Sequence, residues 1–330
     1  MDLLTQISLA IFSIMPGNYS GITHVDGNEY AIVDDKDKTD GFKLLTLDID
    51  PENGTLRDVR MTEPSAMSQR RAAGKGMYRD CEGVAFFDHA KTVFVSGEED
   101  QRIAEYTLEG EPTGRELAVP ASMQRGKIAG NLGFEALTYN AQTHRFWTTT
   151  ESTLLADGPR TALNQKATAN RLRLQSFGDD LRPATQLAYM MDLPTANGTQ
   201  GTYAHGVPSM VAMDDGRLIV MEREAYVTPS KLGSFCTIKL YEVDTREQYQ
   251  ISETTNLATL PREMFLKKTL LASFTTHLRL GKLNFANYEG MCLGPTLTDG
   301  RHTLILISDS QGGMGNALFH LKDYLKVVIF

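Results

Sequence analysis

Acidic residues recur at matching points of a repeated strand pattern in this sequence. Each copy has a first short strand, a polar turn and a second, nearly continuous apolar strand. Because two strands joined by a turn form an antiparallel hairpin, the start of the first strand lies beside the end of the second. The pattern therefore predicts that acids at these two positions gather at one end of each hairpin. First strands start with Glu82, Glu135 and Glu289, and second strands end with Asp34, Glu98, Glu151, Glu222 and Asp309.

Converging carboxylates point to cation chemistry. Like charges packed closely raise one another's pKa unless a cation neutralises them. Calcium is the foremost candidate, since it is a hard cation that takes oxygen ligands. The structural alternative is that each acid hydrogen-bonds to the backbone or to an Arg of a neighbouring sheet. A register slip of one or two residues would bring in Asp35, Glu99 or Glu224 instead.

Three other residues could act beside the acids. Arg79 precedes Glu82, and Arg223 follows Glu222, so a rim of both charges could hold a phosphate through calcium and arginine together. The alternative is a solvated loop with scattered charge. His205 lies near Ser209, but no GxSxG elbow accompanies them, which disfavours a serine hydrolase. We expect His205 to be a general base or a ligand.

The repeat itself predicts the architecture. Five copies of four short strands are the layout of an all-β propeller, with 1–330 as a single domain. In the fifth copy we assign the third strand to 317–321, and no fourth strand follows. We therefore expect an N-terminal strand, within 4–12, to close the last blade. A sixth blade remains open if a degenerate copy lies in 245–261.

Composition narrows the class of partner. The formal charge of -8 argues against non-specific binding to nucleic acid, which needs a basic surface. No apolar run is long enough to span a membrane. The three cysteines show no CxxC spacing, so we expect them to be small apolar side chains that fill space within buried strands. We expect a monomer that binds a small molecule.

The same stretches resemble the phytase-like family, whose domain is called esterase-like activity of phytase. The resemblance spans nearly the whole chain. It is carried by motifs around Gly21, by Asp80-Cys81-Glu82-Gly83, by Gly133-Phe134-Glu135-Ala136, by Met221-Glu222-Arg223, and by Tyr288-Glu289-Gly290 with Ser308-Asp309. In one departure, Ser310-Gln311 stands where an Asp-Asn pair is expected, which puts one amide ligand in doubt.

The resemblance implies a bacterial propeller that is periplasmic or secreted. It implies a calcium-dependent hydrolase of phosphate monoesters or of other, carboxylic esters, in which metal polarises the scissile group and activates water. The ligands would then be Glu82, Glu135, Glu289 and Asp309, with Asp34 and Glu98 in the same ring. Glu151 or Glu222 would serve as base, and Arg79 and Arg223 would bind the anion. Two alternatives stay open: a non-catalytic binding propeller with a structural ring of acids, and a metal-dependent lactonase.

Overall fold

Short strands that fold back on one another build every sheet of this protein. The computed structural model describes residues 1–37, 40–62, 79–163, 165, 167–246, 248–316 and 319–330. Pairing within the main sheets is antiparallel throughout the described residues. The predicted fold class, an all-β propeller of five four-stranded blades, is confirmed.

The N-terminal residues and the first two blades keep the predicted strand order. Two short strands come first, and each of the two blades then adds four strands in sequence order. These strands are β1 (Asp2–Leu3), β2 (Ile7–Ser8), β3 (Tyr19–Asp26), β4 (Glu29–Asp34), β5 (Lys43–Ile49), β6 (Leu56–Met61), β7 (Cys81–Phe87), β8 (Thr92–Gly97), β9 (Ile103–Thr107) and β10 (Pro112–Glu116).

Blade four differs from blade three in strand length. Its four main strands have 11 or 12 residues, whereas the first two strands of blade three have 7 and 6. Blade three contains β11 (Phe134–Asn140), β12 (Arg145–Thr150), β13 (Arg171–Phe177) and β14 (Pro183–Met190). Blade four contains β15 (Thr202–Ala212), β16 (Arg217–Val227), β17 (Ser234–Asp244), β18 (Lys268–Arg279) and the short β19 (Lys282–Leu283).

Both ends of the chain build blade five, as predicted, but through different residues. The blade consists of β20 (Asn287–Leu293), β21 (Thr303–Asp309) and a last strand, Tyr324–Ile329, whose outer neighbours are β1 and β2. The assignment of the third strand to 317–321 was wrong. Residues 317 and 318 lie outside the described residues, while β22 (Gly315–Asn316) and β23 (Phe319–His320) form a separate small hairpin before β24 (Tyr324–Ile329).

The N-terminal closure is shorter than the predicted segment. Leu3 pairs with Val328, and Ile7 pairs with Leu325. The chain then turns into a short 3₁₀ helix, Leu9–Phe12, in which Leu9 is buried in the core beneath blade five. Within 4–12, strand pairing is therefore limited to Ile7–Ser8. Leu4, Leu9 and Phe12 add apolar packing, and the Leu4 N–H also donates to the Val327 carbonyl at 3.1 Å.

The segment 245–261 is a covering loop rather than a sixth blade. Residue 250 makes a single bridge with Leu187 on the outer strand β14. Ile251 and Leu257 pack with Phe265 against Ala188 of the same strand. The loop therefore covers the edge of blade three, which would otherwise present unpaired backbone groups.

A buried ion pair anchors this covering loop. Arg173 on β13 donates from Nε and Nη2 to the two carboxylate oxygens of Asp157, both at 2.7 Å. Its Nη1 donates to Gln186 Oε1 at 2.7 Å and to the Ser252 carbonyl at 3.1 Å. Asp157 in turn accepts the Leu257 backbone N–H at 3.1 Å. One guanidinium thus ties blade three to both halves of the loop.

The chain divides into two compact units, each with its own cores. The first unit comprises Met1–Glu116 and Ala286–Phe330, and the second comprises Leu117–Phe285. Cys81 and Cys292 lie in apolar cores of the first unit, and Cys236 is buried in the second. Among the described residues, no helix has the length and apolar character needed to cross a membrane.

Truncation tests the closure of blade five. Removing Met1–Ser8 should lower the melting temperature and promote aggregation, because the edge of β24 and the apolar surface beneath it become exposed. Thermal unfolding and light scattering measure both effects. Ile11→Ala is the control, since the Ile11 side chain in the same segment is 69% exposed. A truncated protein that melts like the parent would contradict this account of the closure.

Matched arginine substitutions test the anchor of the covering loop. Arg173→Met should destabilise the fold by about 3–5 kcal/mol, because it leaves the buried Asp157 carboxylate without its cation. Arg246→Met removes an exposed pair with Asp244 and should change stability little. Chemical denaturation of the two variants measures the difference. Equal stabilities would show that the Arg173 pair does not anchor the loop.

Candidate functional site

A β-bulge interrupts the first strand of all five blades, near the start of the strand in four of them and in the middle of the longer β15 in blade four. The register between the first two strands of each blade shifts there by at least one residue. The shifts fall between Tyr19 and Gly21, Cys81 and Val84, Phe134 and Ala136, Gly206 and Ser209, and Tyr288 and Gly290. Bulges re-aim side chains. Glu82, Glu135 and Glu289 are themselves bulge residues, so the bulge controls where each carboxylate points.

Glycines next to the bulges let neighbouring strands approach closely. A Cβ on Gly21 would lie 2.4 Å from the Glu82 carbonyl oxygen. A Cβ on Gly206 would lie 2.4 Å from Glu151 Cγ. Neither contact is compatible with a side chain, because real Cβ atoms do not approach so near. These two glycines are therefore required if the acids are to be buried against the adjacent strand.

Three acids of the first unit form a compact cluster, here called the acid triad. It consists of Asp35, Asp80 and Glu82, which each offer a carboxylate oxygen within 4.8 Å of the others. All three residues are buried. Asp35 follows β4, while Asp80 and Glu82 come at the start of β7. Asp80 has a φ of 54°, a left-handed conformation that Asp tolerates better than most residues.

Burial and mutual repulsion raise the pKa values in this region. Burial, followed by the charges of Glu289 and Asp35, raises the pKa of Glu82 well above its usual range. Burial raises the pKa of Asp35 to about 6, although the hydrogen bond from Lys36 opposes the shift. Burial and then Glu289 raise the pKa of Asp309 to about 9, against hydrogen bonds from Gln311. Burial is thus the largest cause of each shift, and neighbouring carboxylates add to it.

Lys36 is the cation that the chain itself supplies to the acid triad. Its Nζ lies 2.7 Å from Asp35 Oδ2 and 3.0 Å from Asp80 Oδ1. Burial alone would lower the pKa of Lys36, but its hydrogen bonds to these two carboxylates raise it. The Lys36 side chain is 49% exposed, so the ammonium can leave toward solvent.

The spacing of the acid triad fits calcium. Calcium binds oxygen at about 2.3–2.6 Å, so oxygens that share one ion lie up to about 5 Å apart. The 4.8 Å limit within the acid triad falls inside that span. Calcium also needs six to eight ligands. Glu289 raises the pKa values of Glu82 and Asp35, and Asp35 raises that of Asp309, so Glu289 and Asp309 are candidates for further ligands.

Other predicted residues of the first unit have structural partners. Asp34 pairs with Lys43 at 3.1 Å. Glu98 is buried and its charge contributes to the raised pKa of Glu82. The guanidinium of Arg79, predicted to bind an anion, is buried instead: Nε donates to Asp100 at 2.6 Å, and Nη1 donates to the Tyr106 hydroxyl at 2.8 Å. All three nitrogens of Arg79 are engaged within the fold.

In the second unit, predicted acids are paired with cations of the chain. The Nη2 of Arg223 donates to Glu151 Oε1 at 2.6 Å and lies 3.9 Å from Glu135 Oε2. Arg223 and Glu151 are both buried. The guanidinium therefore pairs with Glu151 and lies near Glu135, and this placement matches the structural alternative considered for the sequence.

Glu222 lies in a second charged network of the same unit. It accepts hydrogen bonds from the Tyr189 hydroxyl at 2.6 Å and from Lys268 Nζ at 2.5 Å. Lys268 also pairs with Asp192 at 2.8 Å, and Lys239 pairs with Asp192 at 2.5 Å. Burial would raise the pKa of Asp192, but its hydrogen bonds from the two lysines lower it.

His205 lies on β15 opposite Glu224. Burial is the main cause that lowers the pKa of His205, to about 4, so its imidazole is neutral near pH 7. Its Nδ1 is buried and has no hydrogen-bond partner among the described residues. Glu224 is held by the backbone N–H groups of Thr195 and Ala196, both at 2.8 Å.

The eight predicted acids thus fall into two groups. Asp34, Glu82, Glu98, Glu289 and Asp309 belong to the first unit, where Glu289 raises the pKa values of Glu82 and Asp309. Glu135, Glu151 and Glu222 belong to the second unit, where Arg223 and Lys268 oppose them. That Glu135 joins Glu82 and Glu289 at one channel mouth stays a prediction. The sequence analysis did not identify Asp80 or Lys36 as site residues, although Asp80 stands in the motif that holds Glu82 and Lys36 follows Asp35 directly.

Comparison with solved structures gives several distant matches. An endo-arabinase from Bacteroides thetaiotaomicron is 13% identical, with a TM-score of 0.47 over 98% of this chain and 96% of that chain. A β-xylosidase/α-arabinofuranosidase from a compost microbial metagenome is 12% identical, with a TM-score of 0.47 over 99% and 94%. A virginiamycin B lyase from Staphylococcus aureus is 10% identical, with a TM-score of 0.37 over the whole of both chains.

Comparison with protein-family models gives a match over most of the chain. No curated protein matches the sequence significantly. The family model described as Phytase-like, esterase-like activity of phytase, matches residues 15–311. This range runs from the first blade to the turn after Asp309 and includes every acid named above. The chain therefore belongs to the phytase-like family.

Proposed function

We propose that this protein is a hydrolase of phosphate monoesters or other esters that depends on a divalent cation, with calcium the first candidate. The acid triad is the single observation that carries the proposal: its oxygens lie within 4.8 Å of one another and all three residues are buried. The family description, esterase-like activity of phytase, supports ester hydrolysis as the chemistry.

In this proposal Asp35, Asp80 and Glu82 hold the cation, and Glu289 and Asp309 supply further oxygens. A bound divalent cation would polarise the scissile group and lower the pKa of a water ligand. Lys36 would leave the carboxylates when the cation enters, because both compete for the same oxygens. Its ammonium would then be available to bind the anionic part of an ester. We assign this role to Lys36 because Arg79 is held by Asp100 and Tyr106.

The second unit supports a different role for its acids. Glu151 and Glu222 were predicted as bases, but their carboxylates already accept charged hydrogen bonds from Arg223 and Lys268 within the fold. We propose that these pairs, with Glu135, maintain the fold. Of the three predicted catalytic residues, His205 is the one that we retain, as a neutral ligand-binding group.

The non-catalytic alternative gains support from these ion pairs. If the first unit also fails to bind a cation, the protein is better described as a binding propeller with structural acids.

The family resemblance supports our proposal of an exported location, periplasmic or secreted, which fractionation of the source cells would test.

Calcium should raise the melting temperature of the parent protein. A cation that binds only the folded state stabilises it by about 2.7 kcal/mol at a hundred times the dissociation constant. Glu82→Gln should weaken this effect, because it removes a charged ligand from the acid triad. The measurement is thermal unfolding with calcium and with chelator. Glu29→Gln, an exposed acid of the same unit, is the control and should respond like the parent.

Lys36→Met should move the calcium effect in the opposite direction. This variant removes the ammonium that competes for Asp35 and Asp80, so calcium should stabilise it more than it stabilises the parent. Opposite changes for Glu82→Gln and Lys36→Met would support a cation at the acid triad. If millimolar calcium left the parent's melting temperature unchanged, the metal site would be rejected.

Activity should depend on the same acids. We expect hydrolysis in a screen of phosphate monoesters, carboxylic esters and lactones, with loss of activity in chelator and in Glu82→Gln. Activity on lactones alone would favour the lactonase alternative. Calcium binding without activity on any substrate of the screen would favour the binding propeller.

A further inference from the structure

The second strand of blade four continues past its acid, whereas the second strands of blades one to three end at or just before theirs. Its strand β16 continues for five residues after Glu222, to Val227. In those three blades an acid at the corresponding place ends the strand or follows it directly, as Glu151 follows β12. Each residue of a strand adds about 3.3 Å, so the extension is about 17 Å long.

The extension is held together along its length. Strands β16, β17 and β18 stay in register up to Tyr226, Phe235 and His277. The rings of Tyr226 and Phe235 meet edge to face, with centroids 6.0 Å apart. At the end, the Gly233 N–H donates to the Leu278 carbonyl at 2.8 Å and joins the two terminal loops. The loops are therefore presented by a paired sheet.

Three leucines at the end of this extension are exposed, and we call them the leucine tip. Leu232 lies in the loop between β16 and β17 and is 54% exposed. Leu280 and Leu283 belong to the β18–β19 hairpin and are 89% and 59% exposed. Among the described residues, Leu280 is the most exposed large apolar side chain. Exposed apolar groups gathered at one projecting end are typical of an interaction surface.

The charge around the leucine tip is opposite to that of the whole protein. Lys231 precedes Leu232, Arg279 precedes Leu280, and both cations are exposed. The stretches 225–238 and 274–283, which pair with one another in the outer part of the extension, contain no Asp or Glu. Glu224 lies closer to Glu222 on β16 and is held by backbone N–H groups. The chain as a whole has a formal charge of -8. The surface around the leucine tip is therefore positive and apolar, although the protein as a whole is acidic. Such a surface complements a partner that is anionic and has an apolar layer beneath its charges.

We propose that the leucine tip docks this protein on an anionic lipid surface. Leucine side chains gain free energy on entering the boundary between headgroups and acyl chains, and nearby Lys and Arg are attracted to anionic headgroups. The lipid surface is favoured because cations flank apolar side chains on two short loops at the end of a projecting sheet. The proposal does not depend on the cation site in the first unit.

Vesicle co-sedimentation of the full chain tests the proposal. We expect binding to phosphatidylcholine vesicles that contain phosphatidylglycerol and weaker binding to phosphatidylcholine alone. Replacing all three leucines of the tip with serine should weaken binding at least about tenfold. Lys231→Gln and Arg279→Gln should each weaken binding to anionic vesicles about fivefold, and added salt should reduce that difference.

A second triple variant provides the control. Leu155, Leu193 and Leu270 belong to the same unit and are 58%, 53% and 51% exposed, so their replacement by serine matches the loss of apolar surface elsewhere. This variant should bind vesicles like the parent, and circular dichroism should show that both triple variants fold. The proposal is overturned if the parent does not bind anionic vesicles or if the two triple variants bind equally. Self-association that requires the tip, without vesicle binding, would assign the surface to a second copy of the chain and would also overturn it.

Discussion

The close approach of neighbouring first strands is the constraint on which the rest of each unit depends. Strands β3 and β7 come so near that no side chain fits at Gly21 beside the Glu82 carbonyl. A bulge at the same place turns the glutamate side chain out of the ordinary alternation of the strand. Close packing thus removes water from around the carboxylates, and burying a charge is costly unless an opposite charge compensates it.

The two units compensate their buried carboxylates differently. In the second unit, Arg223 and Lys268 come from the extended blade and meet Glu151 and Glu222 directly. In the first unit, Lys36 contacts Asp35 and Asp80 of the acid triad, and about half of its side chain is in solvent. Burial is the first cause of the raised pKa values of Glu82 and Asp309, and the charge of Glu289 is the next. This difference between the units is why we propose the cation site in the first one.

Local pattern was sufficient to predict the blades because each copy encodes its own hairpin. The positions of Glu82, Glu289 and Asp309 followed from the period of the repeat. The cations that pair with the acids could not be predicted in this way. Lys268 contacts Glu222 across 46 residues of sequence, and spacing within a repeat does not encode such pairs. Asp80 was overlooked because it precedes the strand rather than opening it. The last strand was misplaced because the residues of β23, in the small hairpin β22–β23, were assigned to it.

The covering loop and the long strands of blade four show the same limit. The sequence of 245–261 is polar and irregular, and its position on β14 depends on Arg173, which lies far away in sequence. The repeat pattern led us to end the second strand of blade four at Glu222, whereas β16 continues to Val227. A repeat predicts the features that all copies share, but it does not predict features that only one copy has.

The pairing of β1 with β24 has a consequence for biosynthesis. Leu3 finds its partner Val328 only when the far end of the described chain has been made. Until then, the outer edge of blade five does not exist, and the first eight residues cannot form their native hydrogen bonds. Contacts this distant in sequence slow folding, because the entropy of closing the loop is lost before the contacts compensate it. Completion of the first unit is therefore a late event in synthesis, and until then the edge that β24 will occupy beside β21 stays unpaired.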